Sequence, residues 1–519
     1  MVDLSLGTSV LENKLKIGLS GNLDYRDRDM ETYYAFALGE YVPGDQVPDY
    51  TTGAFDDNFP IPEKSKERKG VNAFVDYSAN ENVSFQLSGG LQDSYAQTIF
   101  NERNSTLLSN RSSDSKYANL SAQIHGLSAQ ISHNSGTQNI QAGTESQNST
   151  YDYNILFTNV EYDLNLGKLT IRPGINVQEA TYTDLPYGGG ENNGYLNAEK
   201  TLSNFGYFLR ADYKPTKSLR LIAAVRNDHY NTPDKSYLSY QFLSTYSIGE
   251  NHLVRALYSK ANRGPFMIDS YLDYATGNGL TSPYIEYLGS ESLNLPGMNM
   301  IEVGYRGMLS SKVTLDLELL HTETTDITSF EPTFLGLDNH GLHLIYQYVE
   351  LDLKAKQTGA TFSVNFAPSS KVQLKAYATI QETKLKNYDK KITPVIIDPS
   401  TFTFELPTSE RINTTHKQTP SIFGGVTGNF RPVDKFNVFA GVYYLGKHTY
   451  RHDYASYDES KGQIEVPGRT VFNIKASYNV YKNSSIFINA RNAFNSKGQE
   501  FGFSDKIAGL YLAGINLSF

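Results

Sequence analysis

The amino-acid sequence predicts an all-β protein, a large antiparallel transmembrane β-barrel of about 21 strands. Three observations lead to this prediction. Apolar and polar residues alternate along nearly the whole chain, short connections alternate with long ones, and no apolar run reaches the roughly 18 residues that a transmembrane helix needs. A barrel strand needs only about 10 residues, of which half are polar.

The composition is consistent with β-structure. Only 39% of the 519 residues are hydrophobic, and Tyr (38), Phe (27) and Gly (41) are abundant, of which the two aromatic types favour strands. Trp is absent, so Tyr and Phe would have to form the aromatic girdles of a barrel. The absence of Cys excludes disulfides and thiol chemistry. The net charge of −9 argues against nucleic acid as a partner.

Four segments show the alternation most clearly. In the last one, Leu510–Phe519, five apolar residues lie opposite Gly514, Asn516 and Ser518. The other three are Lys14–Arg26, Val372–Gln381 and Val471–Tyr481. A soluble β-sandwich also alternates, but its exposed face rarely continues through so many strands. In a barrel the apolar residues face lipid and the polar residues face a hydrated lumen.

The connections between strands form two classes. The tight ones lie at Leu11–Lys14, Ala79–Asn82, His125–Leu127, Leu166–Lys168, Lys214–Ser218, Gly249–His252, Leu309–Lys312, Ala367–Lys371, Arg431–Lys435 and Lys482–Ser485. The long ones lie at about 27–69, 98–115, 136–151, 185–201, 264–297, 332–343, 388–419, 452–469 and 497–509, and a short loop near Asn231–Lys235 belongs with them. In bacterial barrels the short turns face the periplasm and the long loops face outside.

This order sets the direction of the first and last strands. The first connection is short and the last is long, so both terminal strands run toward the periplasm, which requires an odd number of strands. Closed single-chain bacterial barrels have an even number. We therefore expect one upward strand to be missing before Met1, beside a seam between Val2–Val10 and Leu510–Phe519.

Local motifs resemble those of a known family. They are YSKANRGPFMIDSY at 258–271 with Ala261, Arg263 and Pro265, SLNLPGMNMIEVGYRG at 292–307 with Leu295, Pro296, Glu302, Gly304 and Tyr305, INARNAFNSKGQEF at 488–501 with Asn492, Phe494 and Asn495, and the terminal Phe519. Gly297 stands where a Glu is usual. In these segments the chain resembles the C-terminal β-barrel of a TonB-dependent outer-membrane receptor.

The resemblance implies a 22-strand barrel, of which residues 1–519 would be the barrel domain with its N-terminal plug and first strand absent. It implies a non-enzymatic function without a cofactor: active uptake of a scarce, bulky nutrient, such as a siderophore or other metal chelate, a vitamin or a glycan. The cell outer membrane of a Gram-negative bacterium would be its location, and membrane lipid and the nutrient its partners. TonB coupling would need the missing plug.

Two other functions remain open. One is a passive porin-like channel or a surface adhesin barrel, which needs no plug. The other is a secreted soluble all-β binding protein, which would not need detergent for extraction.

The sequence predicts no catalytic, cofactor or metal site, and it leaves the ligand-binding residues unknown. Histidines and aspartates in the long connections are candidates for metal ligands, but their spacing matches no standard site and we favour solvated loops. The candidates are Asp338 with Asn339, His340, Gly341, Leu342 and His343, then His448, His452 and Asp453, and the acidic Asp45, Asp49, Asp56 and Asp57.

Six arginines lie in or near strands: Arg220, Arg226, Arg255, Arg263, Arg306 and Arg491. All except Arg255 and Arg263 have the parity of the polar face. They could bind an anionic ligand, but we favour pairing with lumenal carboxylates or with a plug. The Tyr and Phe residues of loops 28–62 and 264–290 could also contact a ligand.

Overall fold

The structure of the protein is a computed structural model in which most residues belong to β-strands. It describes residues 1–28, 33–35, 40–43, 64–102, 105–142, 144–188, 194–398, 400–401, 403–451, 463–481, 483–502, 504 and 506–518. The helical elements among them are short: a 3₁₀ turn at Leu185–Tyr187 and helix α1 at Met267–Tyr271. No helix in these ranges is long and apolar enough to cross a membrane.

The strands are numbered in chain order. They are β1 Val2–Val10, β2 Leu15–Asp27, β3 Tyr33–Ala35, β4 Glu40–Val42, β5 Lys64–Asn80, β6 Val83–Glu102, β7 Ser105–Ile124, β8 Leu127–Ala142, β9 Thr144–Tyr162, β10 Leu164–Leu166, β11 Leu169–Thr183, β12 Glu199–Tyr213, β13 Leu219–Asn231, β14 Asp234–Ile248, β15 His252–Asn262, β16 Asp273–Thr276, β17 Tyr284–Leu288, β18 Gly297–Ser310, β19 Val313–Thr325, β20 Ile327–Asp338, β21 Gly341–Leu351, β22 Lys354–Ser369, β23 Val372–Lys391, β24 Ile396–Asp398, β25 Thr403–Glu405, β26 Ser409–Thr415, β27 Ile422–Val433, β28 Phe436–Leu445, β29 His448–Arg451, β30 Gln463–Val466, β31 Arg469–Tyr481, β32 Ser484–Arg491, β33 Gly498–Gln499, β34 Lys506–Ile507 and β35 Leu510–Leu517.

A single 23-stranded sheet contains most of these strands. Its neighbours follow one another in chain order and pair antiparallel: β1, β2, β5 to β9, β11 to β15, β18, β19, β22, β23, β27, β28, β31, β32 and β35. β10 continues β9 along β11, and β26 lies in line with β27 along β23. The described strands of this sheet therefore occupy 21 positions, as the sequence predicts.

The two edges of this large sheet run in the same direction. Within the described residues, β1 pairs only with β2, and β35 pairs only with β32. Neighbours alternate in direction across 21 positions, so the first and last strands are parallel, as the order of connections predicts. Closure between these edges stays a prediction.

All ten tight turns are confirmed as short connections, but four long ones differ from the prediction. In one of them, 388–419, residues Ser409–Thr415 form β26 of the large sheet. Residues 98–115 and 136–151 belong mostly to β6–β7 and β8–β9, which extend as paired strands. Their sequences are rich in Ser, Asn and Gln on both faces, so no apolar alternation marks them, although their backbones still pair. The segment 332–343 is part of the hairpin β20–β21, which lies in a separate sheet.

The large sheet has one apolar and one polar face. Across four neighbouring strands, Leu319, Ala360, Ile380 and Ile422 are direct partners on the apolar face. Ile380 is 62% exposed although it lies within the sheet. The polar face carries ion-paired Arg, Asp and Glu side chains, which are described below.

Exposed aromatic residues lie on the apolar face near the short turns. They are Tyr77, Phe85, Tyr162, Tyr213, Tyr246, Phe366, Phe430 and Tyr478, each at least 37% exposed. Amphipathic aromatic rings in this position form the interfacial girdles of membrane barrels. These Tyr and Phe residues lie where a girdle without Trp would need them, and the girdle itself stays a prediction.

Candidate functional site: the cap at the end of the long connections

A four-stranded sheet, which we call the cap sheet, is built from two long connections. β16 and β17 come from the connection between β15 and β18, and β20 and β21 from the one between β19 and β22. Its order is β16-β17-β21-β20, and the central pair β17–β21 is parallel. Asp326 has a left-handed φ of 55° between β19 and β20, a conformation that Asp tolerates. This bend directs β20 away from the large sheet.

An aromatic cluster holds the cap sheet together. Tyr287 is the direct partner of Tyr274 and of Tyr346. Its ring centroid lies 5.9 Å from those of Tyr346 and Phe330, with interplanar angles of 13° and 11°, and Phe330 also contacts Tyr348 at 4.8 Å. Offset stacking of this kind stabilises aromatic pairs by about 0.5–1.5 kcal/mol beyond burial. The rings are only partly exposed, so some of their surface stays available to a ligand.

A buried carboxylate connects the cap sheet to a third connection. Asp184 is only 2% exposed, and it accepts hydrogen bonds from the backbone N–H groups of Leu196 (2.8 Å), Asn197 (3.0 Å) and Ala198 (3.1 Å). The residue before these three, Tyr195, accepts through its carbonyl oxygen a 2.8 Å hydrogen bond from the N–H of Asp273 at the start of β16. The connection between β11 and β12 is thereby fixed against the cap sheet.

Arg263 makes local contacts beside the cap sheet. Its guanidinium donates to Asp269 Oδ2 at 2.7 Å and lies 4.1 Å from the centroid of the Phe266 ring. Tyr348 of β21 feels the charges of both Arg263 and Asp269, and burial raises the pKa of its hydroxyl. The arginine is therefore part of the cap, although its cation is already paired.

The predicted histidine candidates come together in this sheet. His343 is 4% exposed; its Nδ1 lies 2.6 Å from Asp338 Oδ2 and its Nε2 lies 3.2 Å from Glu286 Oε2. His340 stacks on Tyr284 at 4.5 Å. The hydrogen bond with His343 lowers the pKa of the Asp338 carboxyl. In the described part of the chain, no group of three or more His, Cys, Asp or Glu residues is arranged to hold a metal ion.

The other metal candidates lie elsewhere. His448 begins β29, and its Nδ1 lies 3.4 Å from the carbonyl oxygen of Gly446. Asp45, Asp49, Asp56, Asp57, His452 and Asp453 lie outside the described residues.

The arginines of the polar face are held by carboxylates. Arg220 pairs with Asp212, Arg226 with Asp228 at 2.6 Å, and Arg306 with Asp316 at 2.5 Å. No ion pair of Arg491 occurs among the residues that the structure describes. The ion pairs support the structural interpretation of these arginines.

Arg255 also lies on the polar face, a position that sequence reasoning did not assign. Its guanidinium contacts Glu302 at 2.7 Å and Glu318 at 2.6 Å. A Cβ added to Gly304 would lie 2.6 Å from Arg255 Nε, so this glycine leaves space for the arginine to reach its carboxylates. The sequence did contain a signal for this assignment, because Arg255 alternates with the apolar Val254 and Ala256.

The asparagines of the segment 488–501 shape the end of β32. Asn492 and Asn495 have left-handed φ values of 49° and 53°. Asn492 Nδ2 donates to the Ser496 carbonyl at 3.0 Å, and Asn495 Oδ1 accepts from the Gly509 N–H at 2.8 Å. Asn is enriched in left-handed positions, which explains this motif as a structural turn.

Sequence reasoning missed the cap sheet itself. The loop aromatics were noted only for 28–62 and 264–290, and most of the first loop lies outside the described residues. The alternation of Tyr284, Ile285 and Tyr287, followed later by Tyr346 and Tyr348, could have indicated strands. No local pattern could show that the two segments pair.

Comparisons with known proteins identify related folds. The family model described as TonB dependent receptor-like, beta-barrel matches residues 9–493. Among curated proteins, no sequence matches the chain.

Three solved structures share this fold. A mutant of the ferric enterobactin receptor PfeA from Pseudomonas aeruginosa is similar over 100% of this chain and 77% of its own, with a TM-score of 0.71 and 13% identity. The siderophore receptor PirA from Acinetobacter baumannii gives the same coverage, a TM-score of 0.69 and 12% identity. The FrpB iron transporter from Neisseria meningitidis covers 98% and 78%, with a TM-score of 0.66 and 12% identity.

Proposed function

Because the chain belongs to the TonB-dependent receptor-like β-barrel family, we propose that it is an outer-membrane receptor of a Gram-negative bacterium. In this proposal the large sheet closes into a barrel and residues 1–519 form one barrel domain. The protein takes up a scarce, bulky nutrient, either a metal chelate such as a siderophore, a vitamin or a glycan. Energised uptake through TonB requires a plug domain.

The observation that carries this proposal is where the apolar side chains lie. Among the described residues only nine apolar side chains are buried, whereas residues such as Leu87, Leu319 and Ile488 are 49–64% exposed. A water-soluble chain of this length would bury a large apolar core. Lipid removes the exposed side chains from water, which supports the membrane location over a soluble binding protein.

The polar face and the cap sheet support a receptor. A face of paired arginines and carboxylates suits a hydrated lumen. The cap sheet lies at the end of the long connections, which we place outside the cell, and its partly exposed rings offer a surface for a bulky ligand. Ferric enterobactin is the ligand named for the similar receptor from Pseudomonas aeruginosa.

The test combines extraction with ligand binding. The protein should leave membranes only in detergent, and the purified protein should bind ferric enterobactin, cobalamin or maltoheptaose saturably in calorimetry. Tyr287→Leu in the cap should weaken this binding, while Tyr77→Leu in the girdle should not. Extraction into plain buffer would contradict the membrane location. Bilayer conductance without saturable binding of any of the three would favour the porin-like channel.

A further inference from the structure

A cavity of about 870 Å³ lies on the large sheet across β5 to β9. We call it the notch. Two rows of side chains with the parity of the apolar face line it. The lower row is Val71, Leu91, Lys116, Ser135 and Asn154, and the upper row is Lys69, Asp93, Asp114, Thr137 and Asp152. Val71 and Leu91, at 53% and 65% exposed, connect the notch to the apolar surface below it.

The height of the notch follows from counting along the strands. Leu91 and Asp93 are the ninth and eleventh residues of β6, which begins after a short turn. Lys116 and Asp114 have the same positions counted from the short-turn end of β7. A membrane-spanning β-strand is about 9–11 residues long. The notch therefore lies at the outer edge of the hydrocarbon layer, where lipid headgroups are found.

The chemistry of the notch includes both signs of charge. Asp93 and Asp114 are direct partners on neighbouring strands, and like charges in this position are destabilising. Lys69, beside them, makes an ion pair with Glu67. Lys116, one row lower, makes no ion pair among the residues that the structure describes. The acidic pair suits an ammonium group, and Lys116 suits a phosphate.

A buried hydroxyl in the notch also lacks a partner. Ser135 is only 9% exposed, and its Oγ has no hydrogen-bond partner. Its neighbours in the upper row are engaged: Thr137 donates its N–H to Asp114 at 3.0 Å and its hydroxyl to Asp152 at 2.6 Å. A buried polar atom without a partner is costly, and a bound polar ligand would satisfy it.

We propose that the notch binds the phosphoethanolamine headgroup of a membrane lipid. The ammonium lies between Asp93 and Asp114, the phosphate lies near Lys116 and accepts a hydrogen bond from Ser135, and the acyl chains follow the apolar face below Val71 and Leu91. This inference rests on the proposed membrane location. Phosphoethanolamine can come from a phospholipid or from a decorated lipid A, and the experiment separates these sources.

The test is native mass spectrometry of the detergent-purified protein with added lipid. Phosphatidylethanolamine should be retained about threefold more than phosphatidylglycerol, which lacks the ammonium, as one exposed ion pair allows. Lipid A with phosphoethanolamine is compared with unmodified lipid A; a larger preference in this arm assigns the site to lipid A, and a smaller one to the phospholipid.

Matched variants test the residues. The double variant Asp93→Asn, Asp114→Asn should abolish the preference for ethanolamine, and Lys116→Gln should weaken retention of both phospholipids. Glu179→Gln and Lys260→Gln are the controls, because Glu179 is the eleventh residue of β11 and Lys260 the ninth of β15, both with the parity of the apolar face. Neither control should change retention.

Equal retention of phosphatidylethanolamine and phosphatidylglycerol, together with equal retention of the two forms of lipid A, would overturn the inference, and so would loss of the preference in a control variant. Insertion into lipid nanodiscs is measured on the same samples. Failure to insert would overturn the proposed function, whereas insertion without a lipid preference would overturn only the notch.

Discussion

In the large sheet, Leu319 and Ile380 are 49% and 62% exposed, whereas Leu344 in the cap sheet is 2% exposed. All three residues lie on β-strands, in which side chains alternate between two faces with the same two-residue period. The large sheet exposes its apolar rows on one face, whereas the cap sheet buries Leu344 and stacks its rings on one another. The comparison supports the proposal that the two sheets face different solvents, with lipid around the first and water around the second.

The largest expected effect on stability comes from placing a charge on the apolar face. Leu319→Arg should destabilise the protein in lipid by about 2–4 kcal/mol if the residue lies near the midplane. Leu320→Arg, one residue along on the polar face, should cost far less, because Leu320 is the direct partner of Glu302. Unfolding of the reconstituted protein in guanidinium measures both, and equal losses would contradict a lipid-facing surface.

The next largest effect comes from removing an ion pair on the polar face. Arg255→Ala leaves Glu302 and Glu318 without their shared cation, and removing hydrogen bonds to charged groups should cost about 1–3 kcal/mol. Arg491→Ala is the control and should change the unfolding free energy by no more than about 0.5 kcal/mol. Gly304→Ala should mimic the first variant in part, because its Cβ displaces the guanidinium. A loss for Arg491→Ala as large as for Arg255→Ala would contradict this account.

A third change separates the cap from the large sheet. Asp184→Ala removes the acceptor for three backbone N–H groups, and a loss comparable to that of a helix N-cap, about 0.5–2 kcal/mol, is expected locally. Hydrogen exchange should speed up at Leu196, Asn197 and Ala198, while the strands of the large sheet keep their protection. Asp184→Asn keeps one acceptor oxygen, so its exchange rates should lie between those of the unaltered protein and those of Asp184→Ala. Loss of protection throughout the sheet would show that the two regions unfold together.

A smaller effect concerns the stacked rings. Tyr287→Leu should loosen the cap sheet by about 0.5–1.5 kcal/mol, because it removes ring stacking with Tyr346 and Phe330. Tyr258→Leu on the apolar face is the comparison, since a leucine there still faces lipid. Proteolysis of the connection between β15 and β18 measures the effect, and unchanged cleavage of Tyr287→Leu would argue against the stacked rings as the basis of the cap.

The smallest expected effect depends on pH. The hydrogen bond with His343 lowers the pKa of Asp338 from its ordinary value of 3.8. A carboxyl whose folded pKa is lowered contributes stability above its unfolded pKa and loses it as the pH falls through the folded value. The His340 N–H, which donates to Asp338 at 2.7 Å, should therefore keep its exchange protection down to pH 3.8 and lose it below. Protection already lost near neutral pH would contradict this, and Asp338→Asn should remove the dependence.

The sequence by itself determined the large sheet. Alternation in Val372–Gln381, the ten tight turns and the order of connections were enough for the strand order, the two faces and the direction of both edges. The physical reason is that each strand pairs with its neighbours in the chain, so register and face follow from local turns and a two-residue period. The polar extensions of β6 to β9 were missed because Ser, Asn and Gln occur at both parities of their sequences, so no apolar alternation marks them.

Only the tertiary structure decided the cap and the notch. β17 and β21 pair although they come from different connections, and no local signal relates Tyr287 to Tyr346. Likewise, Asp93, Asp114 and Ser135 lie on three strands, and their adjacent heights appear only once the register is known. Neighbouring strands can be recognised from the turns that join them. Contacts between distant segments depend on how the whole chain packs, which a single sequence does not show.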